Sequence, residues 1–239
     1  MINTRAILEG LRNPSSIRHS SRYNKRYVMF KLTVDDEISL RILHPDDSGE
    51  LFALLEKNRS RLRPWIHPSA LPETAQGTRI FTIECYFNSM EDPMDALDSP
   101  YFKEVGRYFR GFAQPQMEMG IWMNGRLAGE VSLSFQEDSP DTAEFGYWVG
   151  AEHEGKGIIT RCVRALMDYA ITHLKVERFV IGCAEENYRS RAVPERLGYH
   201  LQDMIPGGEV IGAYVYNRLV FGIQSTEWSE RLQTKVHKT

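Results

Sequence analysis

The stretch Gly150-Ala-Glu-His-Glu-Gly-Lys-Gly157-Ile-Ile-Thr160 decides how this chain is read. Ahead of it, Ala143 to Val149 alternates in the manner of a half-buried strand. Behind it, Thr160 to Leu174 carries Cys162, Val163, Leu166, Met167, Ala170 and Leu174 at spacings of three and four, the apolar stripe of a helix. A strand that passes through a glycine-rich turn into a helix gathers backbone N–H groups at the positive helix end. Such a turn is a seat for phosphate or pyrophosphate. The main-chain N–H groups of Gly155, Lys156, Gly157, Ile158 and nearby Thr160 are the expected donors, with the Lys156 side chain as a further charge.

Two readings of the turn compete. Gly150, Gly155 and Lys156 satisfy the G-x-x-x-x-G-K of a P-loop nucleotide-binding protein. The next position, which needs a hydroxyl to hold Mg²⁺, is Gly157, and the apolar strand Phe179 to Ala184 leads into Glu185-Glu186 without a clear Walker-B aspartate. The P-loop match therefore breaks at the residue that carries the metal chemistry.

Working outward, Ile38 to Leu43 reads as a strand. Asp47 with Glu50 has capping-box spacing ahead of Leu51, Phe52, Leu54 and Leu55, the start of a helix. Pro64 breaks that region, and Thr74 to Phe87 reads as a second helix. Met117–Met123 and Leu127–Phe135 flank Asn124-Gly125, the dipeptide of a type I′ hairpin. Arg191 to Leu197 is a short helix stopped by Gly198, and Tyr199–Leu201 and Val210–Phe221 finish as strands. The sum is one α/β (α+β) domain over residues 32–239, built around a single mixed sheet. Residues 1–31 form a basic extension, with Arg18, Arg22, Lys25, Arg26 and Lys31 and no acid from Pro14 onward. An aperiodic insertion spans about residues 90–116 and carries Glu91, Asp92, Asp95 and Asp98.

The 239 residues correspond to roughly 1.6 domains at about 150 residues each. The apolar share of 42% and charged share of 26% are those of a globular protein. A net charge of −3 argues against a surface built for nucleic acid. No run approaches the ~18 apolar residues of a membrane span. Three cysteines without CxxC spacing fit a reducing cytoplasm, and the seven histidines show no ligand spacing, so no metal is expected.

Four segments in register carry a resemblance. Glu144-Phe-Gly-Tyr-Trp-Val149, Glu154-Gly-Lys-Gly157, Asn187-Tyr-Arg-Ser-Arg-Ala-Val193 and Glu195-Arg-Leu-Gly-Tyr199 together resemble the GNAT superfamily, in its branch of ribosomal-protein serine/alanine N-terminal acetyltransferases. Leu62-Arg-Pro-Trp-Ile66 and Glu227-Trp228 also resemble that branch, and the likeness runs from about Leu40 to Trp228. It implies a central mixed, mostly antiparallel sheet flanked by helices, in a monomer or homodimer. It further implies acetyl-CoA as cosubstrate and direct attack on the thioester by a primary amine, either a protein N-terminus or a small molecule.

On this likeness Glu144 is the candidate base, Ser190 the donor to the departing thiolate and Tyr216 a second acid candidate. Asn187 holds the CoA arm, and Trp65 and Trp148 wall the acceptor groove. Glu154, Ile159 and Pro194 depart from the pattern. The alternative within the likeness is a non-catalytic acyl-CoA sensor.

Overall fold

The computed structural model describes residues 30–89, 99–101, 116–136 and 138–236. Most of the basic extension and of the acidic insertion lies outside these residues. An eight-stranded sheet runs in the order β1-β2-β3-β4-β5-β6-β8-β7. Its strands are β1 (Lys31–Thr33), β2 (Ile38–Ile42), β3 (Gln116–Met123), β4 (Arg126–Gln136), β5 (Ser139–Val149), β6 (Arg178–Ala184), β7 (His200–Ile211) and β8 (Tyr214–Gln224). Neighbours are antiparallel except β5 and β6, which are parallel. The mixed, mostly antiparallel sheet is therefore as expected.

Helices cover both faces. On one side, α3 (Ile158–Tyr169), α4 (Tyr188–Leu197) and α5 (Ser225–Val236) enclose the main core. There Leu40, Val131, Phe145 and Phe179 of the sheet meet Cys162, Leu166, Val193 and Trp228 of the helices. On the other side, α1 (Ser48–Leu62) and α2 (Ala75–Asn88) pack Leu51, Leu55 and Cys85 against Trp122 and Leu127. Among the described residues no helix is long and apolar enough to cross a membrane.

Local chemistry fixes most element ends. Asn124 and Gly125 both take positive φ, 50° and 78°, as a type I′ turn requires. Thr74 caps α2 by accepting from the Gly77 N–H at 2.9 Å. The first helix corrects the expected capping box. The reciprocal pair is His44 with Asp47 around the short turn Pro45–Asp47, and Glu50 instead accepts from the Leu127 N–H at 2.8 Å, tying α1 to β4. Neither β7, which passes through Pro206-Gly-Gly208 as one long strand, nor α5 carries a strong signal in sequence.

The helix α5 is fastened by Trp228, whose Nε1 donates to Asp168 Oδ1 at 2.7 Å. Trp228→Phe removes this donor and the outer part of a buried indole. The expected loss in a urea melt is about 2–3 kcal/mol, about 1 from the bond to a solvated carboxylate and the rest from the smaller buried ring.

Candidate active site

The parallel pairing of β5 and β6 is short. It joins Thr142, Ala143 and Glu144 to Arg178, Phe179 and Val180 and then stops, although β5 continues to Val149 and β6 to Ala184. Beyond Glu144 the strands part like a fork. A cleft of about 1330 Å³ opens there, lined by both strands, the Gly155–Thr160 turn, the start of α4 and the end of α1.

The turn has the geometry of an anion seat. Gly155 and Gly157 take positive φ, 72° and 69°, and a Cβ at either would meet nothing within 4 Å. The φ, not crowding, selects glycine here. Gly157 caps α3, so the free N–H groups of its first turn face the cleft that Gly157, Ile158, Ile159 and Thr160 line. Beside them, His153 lines the cleft with its Nδ1 buried and, among the described residues, unpartnered, a nitrogen able to bond a ligand there. Burial pushes its protonation below the ordinary imidazole range. Lys156 is exposed and is not part of the lining.

Glu154 departs from the expected pattern at this turn, and the structure shows what holds its charge. Arg61 donates from Nη1 to Glu154 Oε1 at 2.5 Å, and Arg189 stands 3.4 Å from the other oxygen. Through Nη2, Arg61 also reaches Val149 O at 2.5 Å and Asn58 Oδ1 at 3.2 Å. One guanidinium thus joins α1, the tip of β5 and the turn while neutralising the carboxylate nearest the anion seat.

Asn187 and Ser190 meet at the start of α4, where both line the cleft. Asn187 Oδ1 accepts from the Ser190 N–H at 3.2 Å, so Asn187 is the cap and the Ser190 hydroxyl has no capping duty. That hydroxyl donates to Tyr147 Oη at 3.3 Å, and Tyr147 donates in turn to the Ser190 carbonyl at 3.0 Å. Pro194 explains why this carbonyl is available. It lies inside α4, not near its start, and its missing N–H leaves the carbonyl four residues earlier free. Burial holds Tyr147 far above the ordinary phenol range, so it stays a donor. Tyr147 carries no distinguishing signal in sequence beyond its place on β5.

Apart from Glu154 and Glu186, which also line the cleft, four carboxylates fall into two groups. Glu144 is outside the cleft lining and is bound by Arg218 at 2.5 Å. Arg218 also binds Glu209 at 2.6 Å, and Glu209 does line the cleft. Gly182 permits this bridge, since a Cβ there would lie within 2.2 Å of the Arg218 guanidinium. The second group, Glu118 and Glu130, lines the cleft on the α1–α2 side. Trp148, also in the lining, donates to Glu130 Oε2 at 3.2 Å. Trp65 lines the cleft as well and stacks on Tyr216, with ring centroids 5.4 Å apart. Tyr216 itself is not in the lining. Among the described residues no group of three His, Cys, Asp or Glu is placed to hold a metal ion.

The paired positive-φ glycines, the open space before them, the orphaned His153 nitrogen and the forked strands fit the pyrophosphate and pantetheine arm of a CoA thioester. The hydroxyl a P-loop needs for Mg²⁺ is absent at Gly157. Known proteins agree. Residues 37–200 match the acetyltransferase (GNAT) domain family. YdaF of Bacillus subtilis, which carries a ribosomal N-acetyltransferase name, is 30% identical over 84% of this chain and 98% of its own length. The ribosomal-protein-serine acetyltransferase of Escherichia coli is 33% identical over 43% of this chain and 55% of its own. In fold, the acetyltransferase MccE in complex with acetyl-CoA and AMP aligns with a TM-score of 0.64 at 23% identity, over 80% of this chain and 94% of its own. The chain belongs to the GNAT family of acetyltransferases, as an N-acetyltransferase that takes its acetyl group from acetyl-CoA.

Proposed function

We propose that the amine acceptor is a protein N-terminus, and that the residues gathered at the fork divide the chemistry as follows. Bound acetyl-CoA supplies a thioester carbonyl open to direct attack by the amine. The Gly155–Thr160 turn holds the pyrophosphate, and Asn187 fixes the start of α4 beside the CoA arm. Ser190 Oγ donates to the departing thiolate. Glu209 takes the proton of the attacking amine, because it is the carboxylate of its group that faces the cleft. Glu144 serves as a positioning residue that holds Arg218 from the far side. Trp65 and Trp148 wall the acceptor's path.

One observation carries this reading: the anion seat, the Ser190 hydroxyl and Glu209 open into the same cleft. The ribosomal N-acetyltransferase names of the relatives favour a peptide amine over a small one. The test is thiol release from acetyl-CoA with a panel of N-terminal peptides and small amines, and mass spectrometry to place the acetyl group. Peptides are expected to turn over at least about tenfold faster than the small amines, a margin that one or two peptide hydrogen bonds supply. Acetylation of small amines alone would overturn the peptide assignment.

A further inference from the structure

Glu118 of β3 and Glu130 of β4 are a pair the chemistry above leaves unused. Both line the cleft, and Glu130 is only 8% exposed. They stand in adjacent cross-strand rows, one of Glu118, Ser132 and Gly146 and the other of Gly120, Glu130 and Trp148. Gly146 presents no side chain, so the first row opens toward the fork over Ser132. Two carboxylates this close, in a desolvated site, normally recruit a cation. Among the described residues none is paired with either. Arg41, paired in register with Gly120, lies 3.8 Å from the centre of the Trp122 ring and is committed to both oxygens of Asp47. From α2 the pair meets Cys85, which carries no positive charge, and within β3 the neutral Gln116 amide donates to Glu118.

A second unsatisfied group borders the pair, although it is not itself in the cleft lining. Trp122 is 7% exposed, and among the described residues its buried Nε1 has no hydrogen-bond partner. A Cβ on Gly120 would lie 2.8 Å from that nitrogen, so the indole N–H sits over Gly120, directly across from Glu130. A buried N–H without an acceptor is destabilising by about 1–3 kcal/mol unless something supplies an oxygen.

We propose that Glu118 and Glu130 form the recognition subsite for a second cationic group of the acceptor. The preferred acceptor is then an amine that also carries an ammonium or guanidinium about 10 Å away, two strand spacings from β5 to β3. This rests on the acetyl-transfer reading of the cleft. In an extended peptide the second residue, Lys or Arg, meets that distance. Without a ligand the two carboxyls share a proton: burial and the neighbouring Glu130 charge push Glu118 well above the usual carboxylate range. The arriving cation takes the place of that proton, which leaves to solvent.

The test compares kcat/KM by thiol release for two peptides identical except for Lys or Ala at the second position. A parallel arm compares 1,8-diaminooctane with octylamine. The enzyme is expected to prefer the dicationic member of at least one pair by about tenfold or more, the worth of one charge-assisted contact. The arm showing the preference identifies the source of the cation. Glu118→Gln is expected to reduce that ratio to below about threefold while acetyl-CoA affinity by calorimetry is retained. Turnover without charge preference in both arms overturns the subsite and leaves acetyl transfer standing. Turnover of no amine, with acetyl-CoA bound, overturns both.

Discussion

Gly157→Val is expected to weaken acetyl-CoA binding by about 100-fold. Gly157 holds φ at 69° as the cap of α3. A β-branched residue pays about 1–2 kcal/mol or more for that conformation. Space is not the issue, since a Cβ there meets no atom within 4 Å. The valine instead pulls the backbone toward negative φ and turns the neighbouring N–H groups off the pyrophosphate. Losing one charge-assisted hydrogen bond adds about 1.5–3 kcal/mol. A combined effect near 3 kcal/mol corresponds to about two decades in Kd. Gly157→Ala, unbranched, is expected to fall between the variant and the parent. Calorimetry with acetyl-CoA measures both, and a thermal melt shows that the fold survives. An unchanged Kd for the valine variant would mean that the turn is a plain helix entry and not the anion seat.

Much of the frame is legible in the sequence, because period and turn chemistry act locally. The Asn124-Gly125 hairpin, the helix after Gly157 and the cap at Thr74 are set by residues within a few positions of each other. What was not legible depends on groups brought together from afar. Glu144 stands on the expected strand, yet its partner Arg218 arrives from β8 through a gap left by Gly182. Glu154 departs from the family pattern, and the guanidinium that neutralises it, Arg61, stands 93 positions earlier. Glu118 and Glu130 carry no motif, and only the register of three strands places them in the cleft. The capping box falls on His44 and Asp47 instead of Asp47 and Glu50 for a related reason. Asp47 has the right neighbours for either role, and Arg41, bound at 2.6 Å, helps to fix its carboxylate toward β2.

The start of α4 joins these two kinds of information in one turn, and Ser190→Ala tests it. The expected result is a fall in kcat of about 100-fold with acetyl-CoA affinity and melting temperature almost unchanged. Removing a donor aimed at developing negative charge has this order of effect. The stability side follows from the division of labour between Asn187 and Ser190. Asn187 caps the helix through the Ser190 N–H, which alanine also possesses, so the substitution removes no cap. Among the described residues the hydroxyl's one bond, to Tyr147 at 3.3 Å, is long and weak. Tyr147→Phe separates positioning from chemistry. It leaves the serine donor but removes the phenol that orients it and that uses the carbonyl freed by Pro194, so a milder fall of about tenfold in kcat is expected. Both variants are read by single-turnover thiol release beside equilibrium binding of acetyl-CoA. A Ser190→Ala enzyme that keeps its rate would leave the thiolate to solvent and reduce Ser190 to a lining residue.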